Sequence, residues 1–244
     1  MPASSSPVRI YVDDDLSQDG RVELGPDQTH YLTRVMRLTP GAHAHLFNGR
    51  HGEWVSRIDA VGKRSATLRP IGQHRTQCPE PDIWLAFAPV KKSRTDFAVE
   101  KATELGVSRL VPVVTQFTST RRVNTERLQA TAREAAEQCG RLTVPSVAAL
   151  HALPDLLRDW PRERRLYALD ETGAGAPSSE AFQAPPPTVG FVTGPEGGFS
   201  ESELDLLRGL DFVTPVSLGP HTLRAETAIA AALAAYQAIA GDWR

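Results

Sequence analysis

The stretch that most limits the fold is Val189–Glu203, VGFVTGPEGGFSESE. A β-branched and aromatic run stops at Gly194-Pro195-Glu196-Gly197-Gly198, and Ser200 with Glu203 supplies a capping box for a helix. A strand that turns through glycines into a helix N-terminus bares backbone N–H and C=O groups to whatever approaches. The pattern then recurs: FVTPVSLG, next Pro220-His221-Thr222-Leu223-Arg224, next an Ala-rich helix from near Ala225. Two such corners predict parallel strands whose C-terminal ends share one pocket. Arg224 and Glu226 stand between a glycine turn and a long helix, where alanine would serve a purely structural turn. The pair of corners therefore reads as a binding site.

The chain before these corners alternates strands and helices. IWLAFAPV, from Ile83, is almost continuously apolar, as a strand covered on both faces must be. Lys91-Lys92-Ser93-Arg94 follows, then a helix from about Thr95 to Leu105, ended by Gly106. RLVPVV and RLYALD are further strands; Asn124–Gln138 is an amphipathic helix ended at Gly140, and Leu153–Trp160 a short one. This rhythm predicts an α/β domain with a parallel sheet. Thr172–Thr188 reads as a mobile Gly/Pro/Ser-rich loop. Its Gly173-Ala174-Gly175 imitates a dinucleotide fingerprint, but Ser178 at the sixth position and Pro177 break the pattern, and no helix is expected to open there. No GxxxxGK[ST], HExxH, paired CxxC or GxSxG occurs, so P-loop hydrolysis, zinc proteolysis and a nucleophile elbow have no support.

Up to about Gly72 the chain is different: short strands at VRIYV, AHLF, GEWVSRIDA and SATLRPI, with a hairpin signal at Asn48-Gly49. One helical segment opens at Asp27–His30 with Tyr31, Leu32, Val35, Met36 and Leu38 on one face. This predicts a small β-barrel. Gln73–Asp82 has linker composition, which divides the chain into residues 1–74 and 75–244. From Gln28 to Arg75 eight arginines and lysines face only Glu53 and Asp59, while the whole chain has a formal net charge of −2. A basic block on an acidic body is either a polyanion-facing module or a solvated surface. Cys78 and Cys139 form no disulfide framework and no metal spacing, as expected for reduced thiols in the cytoplasm. MPASSSP has no apolar signal core, and the Ala225–Ala240 run is too short and too weakly apolar to span a bilayer.

FVTGPEGGFSESE and SLGPHTLRAETA resemble the two signature loops of the RsmE family of ribosomal RNA methyltransferases, in the SPOUT superfamily. EKATELGV (Glu100–Val107), EAAEQCGRLTVPSV (Glu134–Val147) and HYLTRVMRLTPG (His30–Gly41) also fit, so the resemblance covers nearly the whole chain. Two departures stand out: Glu100, where the family more often has glutamine, and Phe117–Val123 (FTSTRRV), where it usually has a Ser-Glu-Arg triplet. The resemblance implies an N-terminal PUA-like β-barrel and a C-terminal α/β domain with a deep trefoil knot. It also implies binding of S-adenosylmethionine (SAM), a homodimer, and methylation of uridine N3 at position 1498 of 16S rRNA on the 30S subunit. Other rRNA sites, ribose 2′-O methylation and a non-catalytic assembly factor are the alternatives.

On that reading Leu169, Thr193, Gly194, Glu196, Gly197, Gly198, Ser217, Leu218, Gly219, Thr222, Leu223 and Arg224 bind the cofactor. No metal is expected, because a sulfonium donor needs alignment and dryness rather than a Lewis acid. Uridine N3 must lose a proton, so Arg224 is expected to stabilise the uridine anion, and Glu196 or Glu226 to act as base unless they cap a helix or pair with Arg224. Arg9, Arg34, Arg37, Lys91, Lys92 and Arg94 are expected to hold RNA phosphates.

Overall fold

The computed structural model describes residues 7–243. Except for Pro7, the MPASSSP start lies outside the described residues. The chain forms two compact units: one runs up to Pro79 and takes in Ala136–Val144, the other comprises Glu80–Ala135 and Pro145 onward.

The first unit is a five-stranded sheet ordered β1 (Arg9–Tyr11), β3 (His43–Phe47), β4 (Glu53–Val61), β5 (Ala66–Arg75), β2 (Val22–Leu24). Its pairings are antiparallel except β1 with β3. The sheet curls so that Ile10 and Val12 from one end share a core with Val22 and Leu24 from the other. β5 continues to Arg75, so Gln73–Arg75 are strand rather than linker. β2 is too short for a period-two signal. α1 (Pro26–His30) continues as a π-helical turn, Tyr31–Val35, in which Leu32 is buried, but Val35 and Met36 point to solvent rather than sharing its face.

The second unit is built on parallel strands ordered β11 (Ala176–Pro177), β13 (Val213–Ser217), β10 (Arg165–Leu169), β12 (Thr188–Thr193), β6 (Asp82–Phe87), β7 (Arg109–Val114), β8 (Ser146–Val147), with β9 (His151–Ala152) also on β7. One face packs against α4 (Leu153–Arg158) and α6 (Glu201–Arg208) through Leu156, Trp160, Leu204 and Leu207. On the other face Tyr167 and Phe191 meet Tyr236 of α7 (Ala225–Ile239). α2 (Lys92–Glu104) starts earlier than the sequence indicates and packs on α7, where Gln237 Nε2 donates to Leu105 O at 2.8 Å. In α3 (Thr125–Cys139) Asn124 is the cap, its Oδ1 accepting from Arg127 N at 2.9 Å.

The segment 172–188 is not a bare loop. It carries β11 and a one-turn helix, α5 (Ser178–Ala181), followed by fully buried Phe182. Pro177 precedes the helix, where its missing N–H is harmless. Gly175 is needed for close approach: a Cβ there would lie 2.6 Å from Val216 N of β13. No helix among the described residues is long and apolar enough to cross a membrane.

Candidate functional site

β10 lies between β12 and β13, with Ala168 level with Val192 on one side and Pro215 on the other. Parallel register thus delivers three strand ends side by side, and the chain leaves each into a loop over one partly open cavity. The first corner turns through Gly194 and Gly198 into α6, whose capping box forms as expected: Glu203 N donates to Ser200 Oγ at 3.3 Å, and Ser200 N to Glu203 Oε2 at 2.9 Å. Gly198 has φ +70°, and a side chain there would run into the Glu171 carboxylate. That carboxylate accepts from Phe199 N at 2.9 Å, so the loop after β10 is hydrogen-bonded to the first corner. The second corner leads through Gly219 to Arg224, the N-cap residue of α7.

Of the expected cofactor residues, Leu169, Thr193, Gly194, Glu196, Gly198, Leu218, Gly219, Thr222 and Leu223 line the cavity. Gly197, Ser217 and Arg224 do not. Gly197 lies against Phe117, and Ser217 Oγ accepts from Gly219 N at 3.3 Å. Arg224 is exposed, and its guanidinium has no hydrogen bond or ion pair among the described residues. Asp170, Glu171, Pro195, Val216, His221, Ala225 and Ala228 complete the lining. Only the strand end at Leu169 was legible in the loop after β10. The signal missed was its own Asp170-Glu171 pair.

The charge of this lining is informative. Asp170, Glu171 and Glu196 line the cavity, and no lysine or arginine does. Burial would push the Asp170 carboxyl up, but hydrogen bonds from Thr172 and Arg208 and the Arg208 charge outweigh it and hold it below the usual range. Arg208 donates to Asp170 Oδ2 at 2.8 Å, so this carboxylate is fixed and ionised. A cavity of carboxylates, apolar walls and bare backbone suits a cationic ligand with a flat aromatic part and disfavours a polyphosphate.

Glu196 and Glu226 are joined by Arg94 of α2, whose Nη1 is 3.2 Å from Glu196 Oε1 and whose Nε is 3.6 Å from Glu226 Oε1. Their partner is therefore Arg94 and not Arg224. Glu196 faces the cavity; Glu226 does not line it, and its Oε2 is buried without a hydrogen bond.

Two of the expected RNA-binding residues are engaged within the fold. Arg94 is held by two carboxylates. Arg9 is buried in the first unit, its Nε 3.0 Å from Glu53 Oε1 and its Nη atoms donating to the carbonyls of Ala136, Glu137 and Arg141. No phosphate can reach it. Lys91, Lys92, Arg34 and Arg37 are exposed as expected. Much of the basic block is neutralised in place, with Arg57 and Arg69 on Asp59 and Arg75 on Glu53. What stays uncommitted is a groove lined by His30, Arg34, Lys63 and Arg64. His45, Glu53 and His74 bring ligand-type atoms within 4.8 Å of one another, but both Glu53 oxygens already serve Arg9, Arg75 and His45, which makes this an ion-pair network.

A family profile described as an RNA methyltransferase domain matches residues 77–237, and one described as an RNA methyltransferase PUA domain matches residues 24–71. Ribosomal RNA small subunit methyltransferase E of Rickettsia conorii is 34% identical over 231 residues, 93% of each chain. The Bacillus subtilis protein of that name is 28% identical over 222 residues, 86% of each chain. Among solved structures, ribosomal RNA small subunit methyltransferase E of Neisseria gonorrhoeae, bound to S-adenosyl methionine, has a TM-score of 0.86 at 28% identity, covering 98% of this chain and 100% of that one. A Legionella pneumophila protein solved with bound SAM gives 0.86 at 28% identity over 96% of this chain and 98% of that one.

Proposed function

The chain belongs to the RNA methyltransferase family, and from that premise we propose that it is a SAM-dependent enzyme methylating N3 of a uridine, position 1498, in the 16S rRNA of the small ribosomal subunit. The observation that carries the reading is the cavity over β10, β12 and β13, lined by bare backbone, apolar side chains and three carboxylates but no lysine or arginine. SAM, when bound, supplies an electrophilic methyl carbon on a positively charged sulfur. Glu171, which has no ion pair among the described residues, would face the positive charge of the cofactor, beside Asp170 and Glu196 with their Arg208 and Arg94 partners, and Leu169, Val216, Leu218 and Leu223 would flank its adenine. The carbonyls and N–H groups of the two corners give the donors and acceptors that an adenine edge and a ribose require.

For the RNA base, Glu196 is the carboxylate that takes the N3 proton, since it faces the cavity while Glu226 does not. Glu226 acts at one remove: it holds Arg94, and Arg94 holds Glu196 in place. Arg224 stands between the lining residues Leu223 and Ala225, and its guanidinium, unpaired among the described residues, would turn onto the oxygens of the uridine anion. Arg34, Arg37, Lys63 and Arg64 of the first unit, with Lys91 and Lys92, hold phosphates. The division of labour is RNA grip chiefly by the first unit, and methyl transfer with further phosphate contacts by the second. The threaded knot and the homodimer implied by the resemblance belong to this proposal, and sedimentation of the full chain tests the dimer.

The deciding experiment is methyl transfer to 30S particles and 16S rRNA from cells lacking the protein, followed by nucleoside mass mapping. The expected product is 3-methyluridine at one site; a 2′-O-methyl product, or none, overturns the reading. Within the site, Arg224→Ala is expected to lower turnover roughly a hundredfold or more, while SAM affinity by calorimetry stays within about twofold. Equal losses in both would remove Arg224 from the chemistry.

A further inference from the structure

Between β7 and α3 the chain forms a loop that contributes nothing to the cavity lining. Its first turn is tightly built. Thr118 N donates to Thr115 O at 3.2 Å, Thr115 N donates to Thr118 Oγ1 at 2.9 Å, and the two hydroxyls are 2.9 Å apart. Both threonines are buried, yet Phe117 between them is 49% exposed. A fixed turn that holds a phenyl ring in water gains nothing for its own core.

Two contacts join this turn to the wall of the cavity. Gln116 N donates to Glu203 Oε1 at 2.8 Å, while the other oxygen of that carboxylate caps α6, so one side chain both starts the helix and holds the turn. Gly197 lies flat against the phenylalanine: a Cβ there would come 3.2 Å from Phe117 Cβ. Glu196 and Gly198, on either side of Gly197, line the cavity. Farther along, Thr120 Oγ1 donates to Val90 O at 3.5 Å, so the chain just before Arg121 and Arg122 meets the chain just before Lys91 and Lys92. All four are exposed, and none has an ion pair among the described residues. An exposed ring on a loop that also carries two uncommitted arginines, and that meets the chain before two uncommitted lysines, has the composition of a single-stranded nucleic-acid platform.

We propose that Phe117 is the stacking platform for an unpaired base of the substrate RNA next to the base that enters the cavity, with Arg121, Arg122, Lys91 and Lys92 on the flanking phosphates. The inference rests on the cavity being a methyl-transfer site on RNA. The ring stands outside the lining, so it meets the neighbouring base and not the reacting one. Every base has a π-face, so the platform tolerates sequence while fixing how far the strand is splayed.

The test compares wild type with Phe117→Leu, which keeps apolar bulk, and Phe117→Tyr, which keeps the ring. The readouts are KM and kcat on 30S particles, SAM affinity by calorimetry, and direct binding of a fluorescein-labelled single-stranded RNA spanning the target. The leucine variant should lose about tenfold or more in RNA affinity and KM, the tyrosine variant should stay near wild type, and SAM affinity should be the same in all three. Leucine behaving as wild type, or tyrosine as poorly as leucine, overturns the proposal. If wild type transfers no methyl group yet the two variants still differ in RNA binding, the enzymatic reading fails and the platform stands.

Discussion

Glu53 is 2% exposed and remains ionised, because the carboxylate sits among Arg9, Arg75 and His45. Burial alone would push its carboxyl up, but the His45 hydrogen bond and the two guanidiniums outweigh it and hold it below the ordinary 4.5. The unfolded chain therefore binds this proton more tightly than the folded one. The stabilisation is fully present above pH 4.5 and is lost as pH falls from there through the lower folded value. Glu53→Gln should flatten the acid limb of a stability–pH curve measured by urea unfolding. Glu53→Ala should cost about 3–5 kcal/mol at neutral pH, because it strands Arg9 as a buried unpaired charge. None of this was visible in the sequence. Arg9 reads as one more surface arginine in a basic protein, and the carbonyl it bonds at Ala136 lies 127 residues away. The capping box at Ser200 and Glu203 was legible because both partners sit within one helical turn.

At the scale of elements, strands with a continuous apolar run, β6, β7, β10 and β12, were legible because a strand covered on both faces leaves no polar alternation. The segment 172–188 was misread for the opposite reason. Its composition is that of a loop, and its order comes from a tertiary contact. Phe182 is fully buried and packs edge-on against Tyr167, Phe191 and Tyr236, at centroid distances of 4.9, 5.8 and 5.7 Å. That anchor holds α5 in place, and Gly175 lets the chain pass close to β13, the strand that leads into the second corner. Phe182→Ala should therefore destabilise the protein by about 3–5 kcal/mol, read as a lowered urea midpoint. An unchanged midpoint would mean that the segment is as loose as its composition suggests.

For the molecule as a whole, the two-corner site was readable in outline because each corner is local, whereas its electrostatic character was not. That character depends on Asp170 and Glu171 from a third strand end, brought in by the β13–β10–β12 order. The basic block reads in the sequence as a larger patch than the fold leaves free, since pairing within the fold occupies Arg57, Arg69 and Arg75. The first unit also includes Ala136–Val144, with Leu142 packed against Phe47 and the carbonyls that receive Arg9. A fragment ending at Pro79 should accordingly give an unfolded amide spectrum by NMR, while the same fragment mixed with a peptide of residues 136–144 should gain dispersion. During synthesis the amino-terminal sheet must wait, incomplete, until residue 144 has cleared the ribosome's exit tunnel, so the part of the chain made first is not the part that can finish first.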